Sequence, residues 1–206
     1  MQILIFFFLV KINWKYWVIP LFLLFSISAS IALHMKHVPD RIRIYLNPEL
    51  DILGKGHQPY QAKLAAGSGG MLGKGFGASL QKFNYLPEAK SDYIAAIYAE
   101  EFGFVGMLFL IILYMLIAVF GFCIALHAKD MEGFYLASII TFTICFQAFL
   151  NLGVVSNLLP SKGTNLPFFS QGGSSLFANS LALSLLLDIY RKSEQKISLI
   201  RMSILP

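Results

Sequence analysis

Four long stretches of this chain carry no formally charged residue: 16–35, 102–128, 133–161 and 163–187. Each can hold the ~20 apolar residues that a helix needs to cross a ~30 Å hydrocarbon layer. Backbone polar groups in lipid must be paired internally, so apolar windows of this length become helices. Only 13% of the residues are charged, where a soluble domain usually carries about 25%. The expected fold class is an all-α polytopic membrane protein, with 1–206 as a single membrane domain. Full spans are expected at Tyr16–Met35, Gly103–Leu126, Phe134–Leu158 and Ser174–Tyr190.

Residues 1–10 are uncharged but too short to span, and no basic residue precedes them as in a signal peptide. They are expected to be a partial span, the end of a helix begun upstream. A signal peptide using Lys11 and Lys15, cleaved after the small residues Ser26–Ala32, is the alternative. The net charge of +5 does not point to nucleic acid, because the basic residues flank apolar spans. Cys123 and Cys145 fall inside spans and show no zinc-site spacing.

Charge also orients the chain. The tail 191–206 carries Arg191, Lys192, Lys196 and Arg201 against Glu194, and an excess of Lys and Arg marks the cytoplasmic side. The carboxy terminus is then inside, as are Lys11–Lys15 and the turn His127–Gly133. Residues 37–92 and 159–173 become outer loops. The first outer loop holds seven Lys/Arg against five acids, but long loops follow the charge rule weakly.

These loops hold the specific chemistry. Pro59–Ala66 is expected to form a short helix, and Gly67–Gly77 has six glycines in eleven positions. Two uses of those glycines are open: a concave anion site of backbone N–H groups, with Lys74 and Lys82 beside it, or a flexible surface turn. Gly73–Ala78 also matches a relaxed dinucleotide fingerprint, but no strand or βαβ unit surrounds it. The second outer loop, with two prolines and three glycines in Pro160–Gly173, is expected to dip toward the membrane. Irregular backbone at that depth must be buried in protein or line a wet cavity.

Pro87, Glu88, Ser91 and Asp92 suit the starts of helices; the alternative for Asp92 is a general base at the outer surface. Glu100 and Glu101 lie near the top of a span, where ionisable groups are costly and functional by default. Gln147 and Asn151, four apart, share a helix face suited to hydrogen bonding between helices. Lys162 reads either as a functional cation or as ordinary snorkelling.

Gly67–Phe104 (GSGGMLGKGFGASLQKFNYLPEAKSDYIAAIYAEEFGF) and Leu159–Leu176 (LPSKGTNLPFFSQGGSSL) together resemble the SEDS family of shape, elongation, division and sporulation proteins. Arg41–Pro48, Gln58 and Gln61 match the family segment before the glycine run. The resemblance covers essentially the whole chain in order, and looks like the carboxy-terminal half of a protein that usually has ten spans. Lys162–Gly163 and Ala89 are more similar to the division branch than to the elongation branch. Departures lie at Lys90-Ser91 and Ala95, where the family commonly has His-Thr and Phe, and at Gln171, where it has Tyr.

The resemblance implies a glycosyltransferase of the bacterial inner membrane that polymerises lipid II, the undecaprenyl-pyrophosphate-linked disaccharide peptide, into peptidoglycan. It implies a class B penicillin-binding protein as partner, within the division or elongation machinery. The catalytic residue is then Asp92, as base. Arg41, Gln61, Lys74, Lys82, Glu88, Lys162 and Ser170 are the substrate-binding candidates. No cofactor is required, although a divalent ion could share the cations' work on the leaving pyrophosphate. The rival readings are a lipid II transporter and a non-catalytic scaffold for a transpeptidase. Transporters place ionisable groups at midplane, where this chain offers only Gln147 and Asn151.

Overall fold

A computed structural model describes Val10, Asn13, residues 15–34, Tyr45, and residues 56–79, 91–160 and 163–204. Among the described residues the regular elements are all helices: α1 (Lys15–His34), α2 (His57–Ser68), α3 (Ile94–Leu126), α4 (Met131–Val155) and α5 (Gly173–Ile204). Segments Ile94–Leu126, Met131–Val155 and Gly173–Glu194 are each long and apolar enough to cross a membrane. Helix α1 coincides with the first expected window, and Val18–Ser28 is its strongly apolar stretch. Helix α5 runs on past the expected span end at Tyr190 as far as Ile204.

Helices α3 and α4 form an antiparallel pair joined by four residues, His127–Asp130. Asp130 caps α4, its Oδ1 accepting from Gly133 N at 3.0 Å. The two helices approach closely because their facing residues are small. A Cβ on Gly121 would stand 2.2 Å from Thr141 Oγ1; Ala125 and Ala137 are buried in one cluster and Ala148 in another. In lipid, where apolar side chains gain nothing by leaving one medium for another, such close packing is what holds helices together. Large apolar side chains such as Phe109, Met115 and Phe120 face outward, as lipid contact requires.

The short helix α2 packs on α3 by the same logic, with Ala62 and Ala65 against Ala95 and Ala96. Helix α5 closes the far end of the bundle. Leu186 and Ile189 pack with Ala125 and Ala137, and Ser193 Oγ donates to the His127 carbonyl in the α3–α4 turn.

A broken helix and a tucked loop form the candidate functional site

Helix α3 is broken at Gly103, whose φ of 65° and ψ of −161° lie in a region open essentially to glycine alone. A break leaves carbonyls and N–H groups of the neighbouring turns without ladder partners, and in an apolar setting each must find another. The glycine run supplies them. Lys74 N and Gly75 N donate to the carbonyls of Glu100 and Glu101, each at 3.0 Å. In return Phe104 N and Val105 N donate to the carbonyls of Gly70 and Met71, at 2.9 and 3.1 Å. The fit is backbone to backbone: a Cβ on Gly73 would stand 2.1 Å from Glu101 O, and one on Gly69 2.0 Å from Ala99 O. The run is therefore anchored on α3 at these positions. Its N–H groups at Lys74 and Gly75 are committed to α3.

Side chains lock the same junction. The Glu100 carboxylate is 1% exposed. Its Oε1 receives Lys74 Nζ at 2.6 Å and Ser68 Oγ at 3.3 Å, and its Oε2 receives Ser79 Oγ at 2.6 Å. The burial cost of a carboxylate is offset by the Lys74 cation and the Ser79 hydroxyl, while Ser68 Oγ shares its one proton with the Ala65 carbonyl at 3.0 Å. Glu101 is buried as well.

Residues 163–172 fold back onto the bundle, as irregular backbone near a membrane must. Leu166 and Pro167 are buried, and the Tyr114 hydroxyl on α3 donates to the Pro167 carbonyl at 2.6 Å. Phe169 sets its ring edge-on to Tyr98, centroids 5.3 Å apart. Ser170 closes the turn, accepting from Leu166 N at 2.7 Å while its own N–H donates to Leu166 O at 3.0 Å. Tyr45, from the Arg41–Pro48 motif, donates its hydroxyl to Leu158 O at 2.6 Å.

Asp92 stands where these parts meet. It is half-buried, just before α3. The N-cap position falls to Tyr93, whose side chain makes no capping bond. Asn151 of α4, 1% exposed, donates from Nδ2 to Asp92 O at 2.8 Å and to Thr164 O at 2.6 Å. The tucked loop passes so near the carboxylate that a Cβ on Gly163 would stand 3.1 Å from Asp92 Oδ2.

Of the expected site residues, Asp92 and Ser170 belong to this meeting point, Lys74 to the Glu100 cluster, and Gln61 lies half-buried on α2. Arg41, Lys82, Glu88 and Lys162 lie outside the described residues. The sequence pointed to Asn151 only as a partner for another helix. Its periodicity identified the face and could not identify the two carbonyls.

An α-helical membrane protein with a broken helix and a tucked loop around one surface acid is the class that this fold defines. The chain belongs to the cell cycle protein family of FtsW, RodA and SpoVE, whose profile matches residues 1–195. It is 45% identical over 153 residues to stage V sporulation protein E of Bacillus subtilis, covering 74% of this chain and 42% of that protein. It is 42% identical over 159 residues to the probable peptidoglycan glycosyltransferase FtsW of Geobacter metallireducens, covering 77% of this chain and 42% of that protein. With the FtsW of Borreliella burgdorferi, of the same description, it shares 41% over 167 residues, or 81% of this chain and 46% of that one. The chain thus spans less than half the length of these relatives. Its fold matches a chain in a solved peptidoglycan synthase complex with a TM-score of 0.74 at 28% identity, over 94% of this chain and 54% of that one.

Proposed function

We propose that this chain forms the outer-surface catalytic part of a lipid II polymerase, with Asp92 as its general base. The observation that carries the reading is the Asn151 bridge. It joins the two segments that bear the family resemblance, one at the Asp92 carbonyl and one at the Thr164 carbonyl, and so brings the second segment beside Asp92.

The chemistry follows from the substrates. A sugar hydroxyl attacks an anomeric carbon that bears a lipid pyrophosphate, and an α-linked donor becomes a β-linked product. A single inverting displacement needs a base on the attacking side, as in inverting hydrolases. Asp92 takes the hydroxyl proton as the new C–O bond forms, and the lipid pyrophosphate leaves with the electron pair of the bond that breaks. Cations that spread its charge remove the need to protonate it. Arg41, Lys82 and Lys162 are assigned that work. Lys74 adds whatever its one-third-exposed ammonium can offer beyond the Glu100 pair. Gln61, Glu88 and Ser170 are assigned to the sugar and peptide groups.

Both substrates are anchored in the bilayer with their sugars in the headgroup layer, which suits a site built just above the spans. On this reading the protein sits in the bacterial inner membrane with its carboxy terminus inside, beside a class B penicillin-binding protein. The similarity to a synthase complex supports that partnership.

Purified protein, completed with the amino-terminal helices of a relative and supplied with labelled lipid II, tests the reading, since polymer, flipped lipid or neither separates polymerase, transporter and scaffold. Asp92→Asn keeps shape and polarity while removing the proton acceptor. Polymerisation should fall by ~10²–10⁴, with the fold intact. Near-normal turnover in well-folded Asp92→Asn protein would take Asp92 out of the mechanism.

A further inference from the structure

We infer that Asn151 is a positioning residue for the Asp92 carboxylate, a role that rests on the polymerase reading above. Asn151 is 1% exposed in the middle of an apolar packing layer. Both protons of its Nδ2 are spent on carbonyls outside the helical ladder of α4, one at Asp92 and one at Thr164. These carbonyls belong to segments 72 residues apart in the chain (164 − 92) that have no helix in common.

The residue type is close to unique for this task. One nitrogen must present two protons to two acceptors. Serine and threonine have one proton, aspartate has none and would repel both carbonyls, and glutamine would push the amide one carbon further into a packed interface. The Asp92 carbonyl and its carboxylate share a Cα. Clamping the carbonyl, with Tyr93 already seated and 3% exposed, therefore fixes the direction in which the carboxylate leaves the backbone. The same clamp holds Gly163 against Asp92 Oδ2, so one amide sets the base and the loop over it in a single register. Catalytic groups must be held to within about 0.5 Å, and a misplacement of ~1 Å can cost ~10²-fold in rate.

A stabilising residue and a positioning residue are separated by how their effects combine. The test measures steady-state lipid II polymerisation per mole of monodisperse protein in micelles. It uses this chain, completed with amino-terminal family helices if it makes no polymer alone. Asn151→Ala should lower kcat about 10- to 100-fold with KM unchanged, and Asn151→Ser, which keeps one bond, should fall between. In an Asp92→Asn background, Asn151→Ala should cost nothing further, because the group it positions has lost its function. If Asn151→Ala does not fold, Asn151→Ser carries the same cycle. Multiplicative losses in the double variant, a change in KM alone, or rates within twofold of the parent would overturn the inference. Absence of polymer from the parent protein, or an unaffected Asp92→Asn enzyme, would instead overturn the reading beneath it.

Discussion

Lys74 and Glu100 show how a single residue pair is tied to the surrounding backbone. A carboxylate at 1% exposure is tolerable only with its charge compensated, and here a lysine and two serine hydroxyls surround it. Removing one partner of such a pair costs more than removing both, since it leaves a buried charge unmatched. Lys74→Met should therefore destabilise the folded protein by about 3 kcal/mol. Lys74→Met combined with Glu100→Leu should recover part of that loss, as read from melting in micelles. Full additivity of the two changes would mean that the ion pair is not what holds Glu100 in place. The spacing of Lys74 and Glu100 in the chain, 26 residues apart, offered no signal of the pair. Lysine beside glycines suggested a phosphate, and a glutamate atop a span suggested catalysis, because sequence alone does not show that the two neutralise each other.

At the scale of elements, three of the four expected spans meet helices long and apolar enough to cross a membrane. The first meets α1 with only a shorter apolar stretch. The match arises because charge-free windows report where such helices run. The expected start at Gly103 coincides with the point where α3 breaks. From Phe104 to Leu126 the helix has 23 residues, or about 34 Å at 1.5 Å each, matching a hydrocarbon layer. What composition could not show is that Ile94–Phe102 continues as helix above the break, with the glycine run paired to it. That pairing depends on contacts between residues some 30 positions apart, which have no period. It nonetheless leaves a clear signature in the glycines, because those at contact positions have no room for a side chain and others do. Gly103→Ala would place a Cβ 2.4 Å from Gly73 N and force alanine into a glycine-only conformation. The strain alone costs about 1–3 kcal/mol, and the backbone clash adds to it, so a drop in melting temperature of many degrees is expected. Gly67 lies inside α2, where a Cβ would meet nothing within 4 Å. Gly67→Ala should stabilise by about 0.4–1 kcal/mol. Equal effects from the two substitutions would contradict the pairing of the glycine run with the broken helix.

At the scale of the whole molecule, the question is what the described helices and the tucked loop can do by themselves. The tucked loop shows that this chain satisfies its irregular backbone internally: Tyr114, Asn151 and Ser170 each take up a loop group. The protein should therefore insert and fold. A polymerase must also hold two lipid-anchored sugars around Asp92 and keep bulk water from the donor's anomeric carbon. Among the described residues α4 and the tucked loop stand against Asp92, which is half-buried. The outer faces of α3 and α5 present mostly apolar side chains, among them Phe104, Leu108, Phe177 and Leu181. The relatives are more than twice as long as the stretch aligned here. The 206-residue chain alone should accordingly reach the membrane as a folded protein and make little or no polymer from lipid II. Co-expressing it with the amino-terminal helices of a relative should restore polymerisation, and that restored activity should be lost with Asp92→Asn. A gel of polymerised glycan from the two preparations decides the matter. Robust polymer from the chain alone would show that α3, α4, α5 and the tucked loop already enclose a complete site.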